Sequence, residues 1–282
     1  MTSWRPRRTI KLRSRLYGLH GIPAITAERH LQKGLPRHLN DHLNLLHGNC
    51  SDHSSRLRLG RLLHRLTHHD SGVQESALAE LELATQLIRV GLHVAFLPES
   101  LARTADLECR HESERFFVEV TAMVGSAERR RLPLRVVMNG EEDGVETDRG
   151  VLLIHRISAR IRQKARQLAD YCEPVLLSIS IPRADLRGGH QGRREQIRMD
   201  VKALAGSITV DLMKLRHLSA VLISLWDVEP IPSRAALRLT NVEVIERAKH
   251  QQTQPRVRML IRNPRASVPL SEAQTASVRQ TL

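Results

Sequence analysis

The sequence predicts an α/β fold, a mixed β-sheet with helices packed on both of its faces. Three observations predict it. Segments with helical spacing of apolar residues alternate with short, near-continuous apolar runs, as when helices return buried strands to one sheet. Two strands follow one another directly across the polar turn HESE (111–114), which reads as a hairpin. Hydrophobic residues make up 41% of the 282 and aromatics only 2%, so Leu, Val, Ile and Ala must fill the core.

Residues 1–70 differ from the rest. They hold 13 Lys or Arg against 4 Asp or Glu, and 9 of the 15 histidines. They read as a basic N-terminal extension, helical or partly disordered, and residues 71–282 as the main domain. Within the extension, SRLRLGRLLHRLTHH (55–69) has Leu59, Leu62, Leu63 and Leu66 at helical spacing. His38/His42 and His64/His68 are four apart, but no third ligand accompanies them. A surface helix or a nucleic-acid arm fits them better than a metal site.

From Gly72 the pattern sharpens. VQESALAELELATQLIRVG (73–91) is a helix with Ala77, Leu81, Ala84 and Ile88 on one stripe, closed by Gly91. LHVAFL (92–97) is a strand, and TADLECR (104–110) and RFFVEVTAM (115–123) form the hairpin. NGEEDGVETDRG (139–150) reads as a loop. HRISARIRQKARQLADY (155–171) is the next helix, its stripe made by Ile154, Ile157, Ile161, Ala165 and Leu168. EPVLLSISIP (173–182) is a buried strand bounded by prolines. A helical region over 196–215 leads into the buried strand SAVLISLWDV (219–228), and RVRMLIRNP (256–264) is the last strand. Neither GxxxxGK[ST] nor GxGxxG is present, which removes support for nucleotide-binding versions of the fold.

The formal charge is +14 and the pI about 10.9. Such an excess favours a polyanionic partner, nucleic acid first, through phosphate contacts and counterion release. Cys50, Cys109 and Cys172 form no CxxC pair, which fits a reducing, cytoplasmic setting rather than a disulfide framework. The basic start has no apolar core of a secretory signal, and no stretch reaches the ~18 apolar residues of a membrane span.

Chemistry concentrates around the hairpin. Strand alternation puts Phe117, Glu119, Thr121 and Met123 on one face and Phe116, Val118, Val120 and Ala122 on the other. A hairpin with so short a turn lets Asp106 approach Glu119. On the preceding helix Glu80 borders the apolar stripe and is expected to face inward, whereas Glu82 is expected in solvent. A carboxylate beside a core-facing stripe needs a partner, a metal or a raised pKa. Converging carboxylates are what a hard ion such as Mg²⁺ requires, and such an ion activates water at a phosphodiester.

These residues, in this order, resemble the PD-(D/E)xK nuclease superfamily, the restriction-endonuclease-like fold, over residues 76–182. By resemblance, Glu80 matches the helix glutamate, Asp106 the motif aspartate (with Ala105 where proline is usual) and Glu119 the second acid. Thr121 stands where the family's lysine normally is. In some members the lysine has moved to the following helix, and a subset carries a QxxxY motif there. QKARQLADY supplies Lys164 as the relocated lysine, with Gln167 and Tyr171 four apart. The resemblance implies a nuclease using Mg²⁺ or Mn²⁺ held by Glu80, Asp106 and Glu119, acting on DNA or RNA. Thr121, which cannot supply charge, motivates the alternative of an inactive scaffold that binds nucleic acid or a protein. Two basic stretches, ERRRLPLR (128–135) and RADLRGGHQGRRE (183–195, with Arg183, Arg187, Arg193 and Arg194), are either phosphate contacts or solvated connectors. Trp226 is expected in the core.

Overall fold

The structure, a computed structural model, describes residues 37–50, 52–66, 68, 70–98, 105–123, 142–181, 197–226, 228–233, 239–248 and 254–282. The two basic stretches at 128–135 and 183–195, the side chain of His38 and the chain before residue 37 lie outside the described residues.

The fold is α/β. A mixed seven-stranded sheet has the order β1 (His93–Phe96), β2 (Leu107–His111), β3 (Glu114–Ala122), β4 (Val175–Ile181), β6 (Ala220–Leu225), β9 (Val257–Arg262), β8 (Val242–Glu246). The three central strands β3, β4 and β6 are parallel and the other pairs antiparallel. A separate parallel pair joins β5 (Ile197–Met199) to β7 (Val228–Pro230). Helices α1 (Arg37–Asn49), α2 (His53–Leu66), α3 (Ser71–Arg89) and α6 (Glu272–Gln280) contribute to an apolar cluster on one face of the sheet. Helices α4 (Glu142–Ala165) and α5 (Val201–Lys214) make the parallel crossovers and cover the other face.

The α3 stripe is buried as expected, with Ala77, Leu81, Ala84 and Ile88 all in the core. Asp70 caps its start by accepting from the amides of Gly72 and Val73. Gly91, at φ +88°, ends it: Gly91 N donates to Ile88 O and Leu92 N to Leu87 O, the paired bonds of a left-handed helix stop. Alternation along β3 also holds, since Phe117 faces the α4–α5 side while Val118, Val120 and Ala122 face α3.

Several elements differ from the sequence reading. Residues 142–150 are the first turns of α4 rather than a loop. Gly150 is demanded there, because a Cβ would lie 2.6 Å from the Arg198 carbonyl oxygen. The same helix stops at Ala165, so Gln167 and Tyr171 lie beyond it in successive i→i−3 turns. Residues 197–199 form a strand before Asp200 caps α5. The run 219–228 splits into β6 and β7, leaving Trp226 half-buried between them. Residues 37–66 are not an appendage: Leu43, Leu46, Leu59, Leu62, Leu63 and Leu66 join the same buried cluster as α3 and the sheet.

Candidate functional site

The site lies where β2 leaves β3. The last residue pair of their ladder is Leu107 with Val118, and Asp106 N still donates to Val118 O. Asp106 is therefore held beside the end of the ladder, where its carboxylate meets that of Glu119. Val120 N points toward the departing strand and would lose its partner. The Asp106 Oδ2 accepts from it at 2.8 Å, so the carboxylate stands in for the missing backbone oxygen. Tyr171 holds the segment from the other side: its hydroxyl oxygen accepts from Ala105 N at 2.6 Å and its ring packs 4.6 Å from that of Phe117. Burial first, and then the neighbouring acids, push the tyrosine hydroxyl above its usual pKa.

Two glutamates flank Asp106. Glu119, in β3, is 6% exposed and accepts from Lys164 Nζ at 2.5 Å. Lys164 reaches it from the last turn of α4, with its stem half-buried. Glu80, in α3, is 2% exposed and bound by two arginines of α2. Arg58 Nη2 donates to Glu80 Oε1 at 3.1 Å and to Asp106 Oδ1 at 3.0 Å. Arg65 Nη1 donates to Glu80 Oε2 at 3.0 Å, and its Nη2 reaches the Ser76 hydroxyl at 3.1 Å. Burial and the charge of Asp106 push both glutamates up to about 7, against the lowering effect of their cations. Asp106 is also within hydrogen-bond reach of Glu119 and favours its protonated form.

The structure thus brings Glu80, Asp106, Glu119 and Lys164 into one connected group. Thr121 lies two residues beyond Glu119 on the same face and is 3% exposed, enclosed rather than lining an open surface. Gln167 is half-buried in the turn after α4, where its amide donates to Lys164 O. It does not share a helical turn with Tyr171, because the helix has ended. Glu82 is not the solvent residue expected; it is half-buried, with its charge acting on Arg258. Among the described residues, no three His, Cys, Asp or Glu side chains form a ready metal-binding cluster.

Arg58 and Arg65 were missed in the sequence. The signal was present: they are seven apart and flank the stripe of Leu59, Leu62 and Leu66, so a helix that buries those leucines carries both guanidiniums inward. Arg58 is 4% exposed. A buried guanidinium requires a carboxylate, and Glu80 and Asp106 are those acids. No family model, no curated protein and no solved structure matches the chain.

Proposed function

We propose that this chain is a divalent-metal-dependent nuclease of the PD-(D/E)xK kind, with a restriction-endonuclease-like arrangement of its sheet and site. The observation that carries the reading is the approach of the Asp106 and Glu119 carboxylates where β2 leaves β3, with the Lys164 ammonium 2.5 Å from Glu119. The lysine absent at position 121 is supplied from α4.

The carboxylate pair fits a cation. The charge of Asp106 opposes the ionisation of Glu119, and a hard ion bound by oxygen ligands relieves that opposition. Mg²⁺ or Mn²⁺ held there would lower the pKa of a bound water and offset charge on a phosphate. Asp106 and Glu119 would hold it. Glu80 is already matched by Arg58 and Arg65 and supports Asp106 through the shared Arg58. Lys164, a compact charge on a flexible stem, orients water and meets the phosphate. Thr121, enclosed as it is, contributes packing. A basic chain of charge +14 suits a nucleic-acid substrate, DNA before RNA. Three free cysteines suit a reducing, cytoplasmic setting. Among the described residues, no helix is long and apolar enough to cross a membrane.

The test is digestion of labelled single- and double-stranded DNA with Mg²⁺ or Mn²⁺. The wild-type protein cleaves, and Asp106→Ala and Glu119→Ala do not. Equal cleavage by all three removes the site. A second reading rests on Arg58, whose guanidinium already bridges Glu80 and Asp106. In it the scaffold binds nucleic acid without cutting. Salt-sensitive binding with no metal-dependent cleavage favours that reading.

A further inference from the structure

On the α3 face of the sheet, one level beyond the acids, runs a row of residues unlike its neighbours. The register aligns Ala122 with Ser180, Ser180 with Ser224, and Ser224 with Arg258. The flanking positions on this face are apolar core at Val118, Val120, Leu176, Leu222 and Leu260, with the buried Ser178 as the one further hydroxyl, which also lines the space. The small side chains leave a narrow chamber, open on one side, between the sheet and Glu82 and Gln86 of α3, with Trp226 at its edge. Arg258 forms one wall and is only 4% exposed. Its Nε finds no hydrogen-bond partner among the described residues, and neither does the Gln86 Oε1. Burial, then the nearby Arg247, pull its guanidinium down to about 10, and Glu82 pulls the other way. An ionised guanidinium this enclosed, with an unused N–H, is short of acceptor oxygens.

We propose that this chamber is a phosphate-binding subsite in which Arg258 and the hydroxyls of Ser180 and Ser224 receive the oxygens of a nucleic-acid backbone phosphate. The groups facing it are predominantly donors: the guanidinium, the serine hydroxyls and the Gln86 amide, whose two ends exchange by rotation. Glu82 is the one acid on the wall and the resting counter-charge of Arg258. The chamber floor has room for a single oxygen, so the rest of a phosphate stays at the mouth, as suits a group carried on a chain. The position also fits. Ser180 and Ser224 lie near the carboxyl ends of the parallel strands β4 and β6, the end of β3 that carries Glu119. Arg258 is three strand spacings from β3, about 14 Å across the sheet, and a nucleic-acid strand held there passes round the β-strand ends to reach Glu119, whose side chain faces α4. The choice of a backbone phosphate over a free one rests on the nuclease reading; the anion chemistry does not.

The test is binding of a fluorescent single-stranded oligonucleotide without divalent metal, which keeps it independent of cleavage. Arg258→Gln is expected to weaken binding about tenfold and to reduce the salt dependence by about one phosphate. Glu82→Gln is expected to strengthen binding severalfold, because it removes the competing acid. Ser180→Ala and Ser224→Ala each weaken it two- to threefold, roughly one neutral hydrogen bond. Unchanged oligonucleotide affinity in folded Arg258→Gln and in Glu82→Gln overturns the proposal. Should Arg258→Gln fail to fold, Glu82→Gln and the two serine variants decide it by the same criterion. A parallel titration with inorganic phosphate distinguishes the source. Phosphate binding lost in Arg258→Gln, with the oligonucleotide indifferent to the substitution, overturns the backbone assignment. Cleavage that fails while this pattern holds refutes the metal site alone.

Discussion

Glu80 and Glu119 sit on either side of Asp106, are buried to a similar degree and are pushed to the same region, about 7. Their cations differ. Glu80 is fixed by two guanidiniums from α2, one of which also takes Asp106. Glu119 has one ammonium, on a half-buried stem from α4. A planar guanidinium that meets two carboxylates from the core-facing side of a helix fixes geometry, whereas an ammonium on a flexible chain is free to change partner. The contrast assigns the first pair to holding the site together and the second to its chemistry.

Removing the fixed cation should have the largest effect on the fold. Arg58→Met leaves the buried Glu80 with Arg65 alone and the half-buried Asp106 without its guanidinium, and is expected to cost about 3 kcal/mol of stability. Chemical denaturation measures it. Adding Glu80→Gln should restore part of the loss, because one of the stranded charges is gone. A loss below about 1 kcal/mol would erase the distinction between the two glutamates.

Removing the mobile cation should do the opposite. Lys164→Met is expected to leave the melting temperature close to wild type, since Glu119 can answer by keeping its proton. Cleavage should fall by about 10²–10³-fold, as when one charge-stabilising donor is lost. Melting curves and kcat on one DNA substrate separate the two effects. A strongly destabilised but fully active variant would reverse the assignment.

Acidity provides a smaller signature common to both glutamates. Each has its pKa raised from 4.5 to about 7 in the folded chain. Between those values the folded state holds protons that the unfolded state has released. Stability contributed by these groups is therefore full below 4.5, lost as pH rises toward 7 and absent above it. The melting temperature should decline over that window, and Glu80→Gln with Glu119→Gln should flatten the decline. The smallest expected effect is Tyr171→Phe. It removes the acceptor for Ala105 N and should cost about 1 kcal/mol, with a modest fall in kcat because Asp106 is held less firmly.

The same contrast explains how much was legible beforehand. Glu80 facing inward followed from helical periodicity, and the approach of Asp106 to Glu119 from strand alternation and the short hairpin turn, whereas Lys164 came only from the family resemblance. The central strands followed from their apolar runs. Arg58 and Arg65 were hidden because their helix was read as a basic surface element, though its leucines enter the main core. The early turns of α4 escaped because Gly144 and clustered acids resemble a loop, and its early end escaped because apolar spacing runs on to Leu168. Edge strand β8 is largely exposed and carries no continuous apolar run, so it left no signal. In the sequence Arg258 is one more residue of the strand RVRMLIRNP. Only the register that sets it beside Ser224 and Ser180 shows a polar chamber.

The most direct test of the central claim, that Asp106 and Glu119 form a cation-binding pair with Lys164 beside it, is a calorimetric titration of the protein with Mn²⁺. The account predicts saturable binding of one ion per chain in the wild type and in Lys164→Met, and its loss in Asp106→Asn and Glu119→Gln. Undiminished binding in those two variants, or no saturable binding in the wild type, would contradict it.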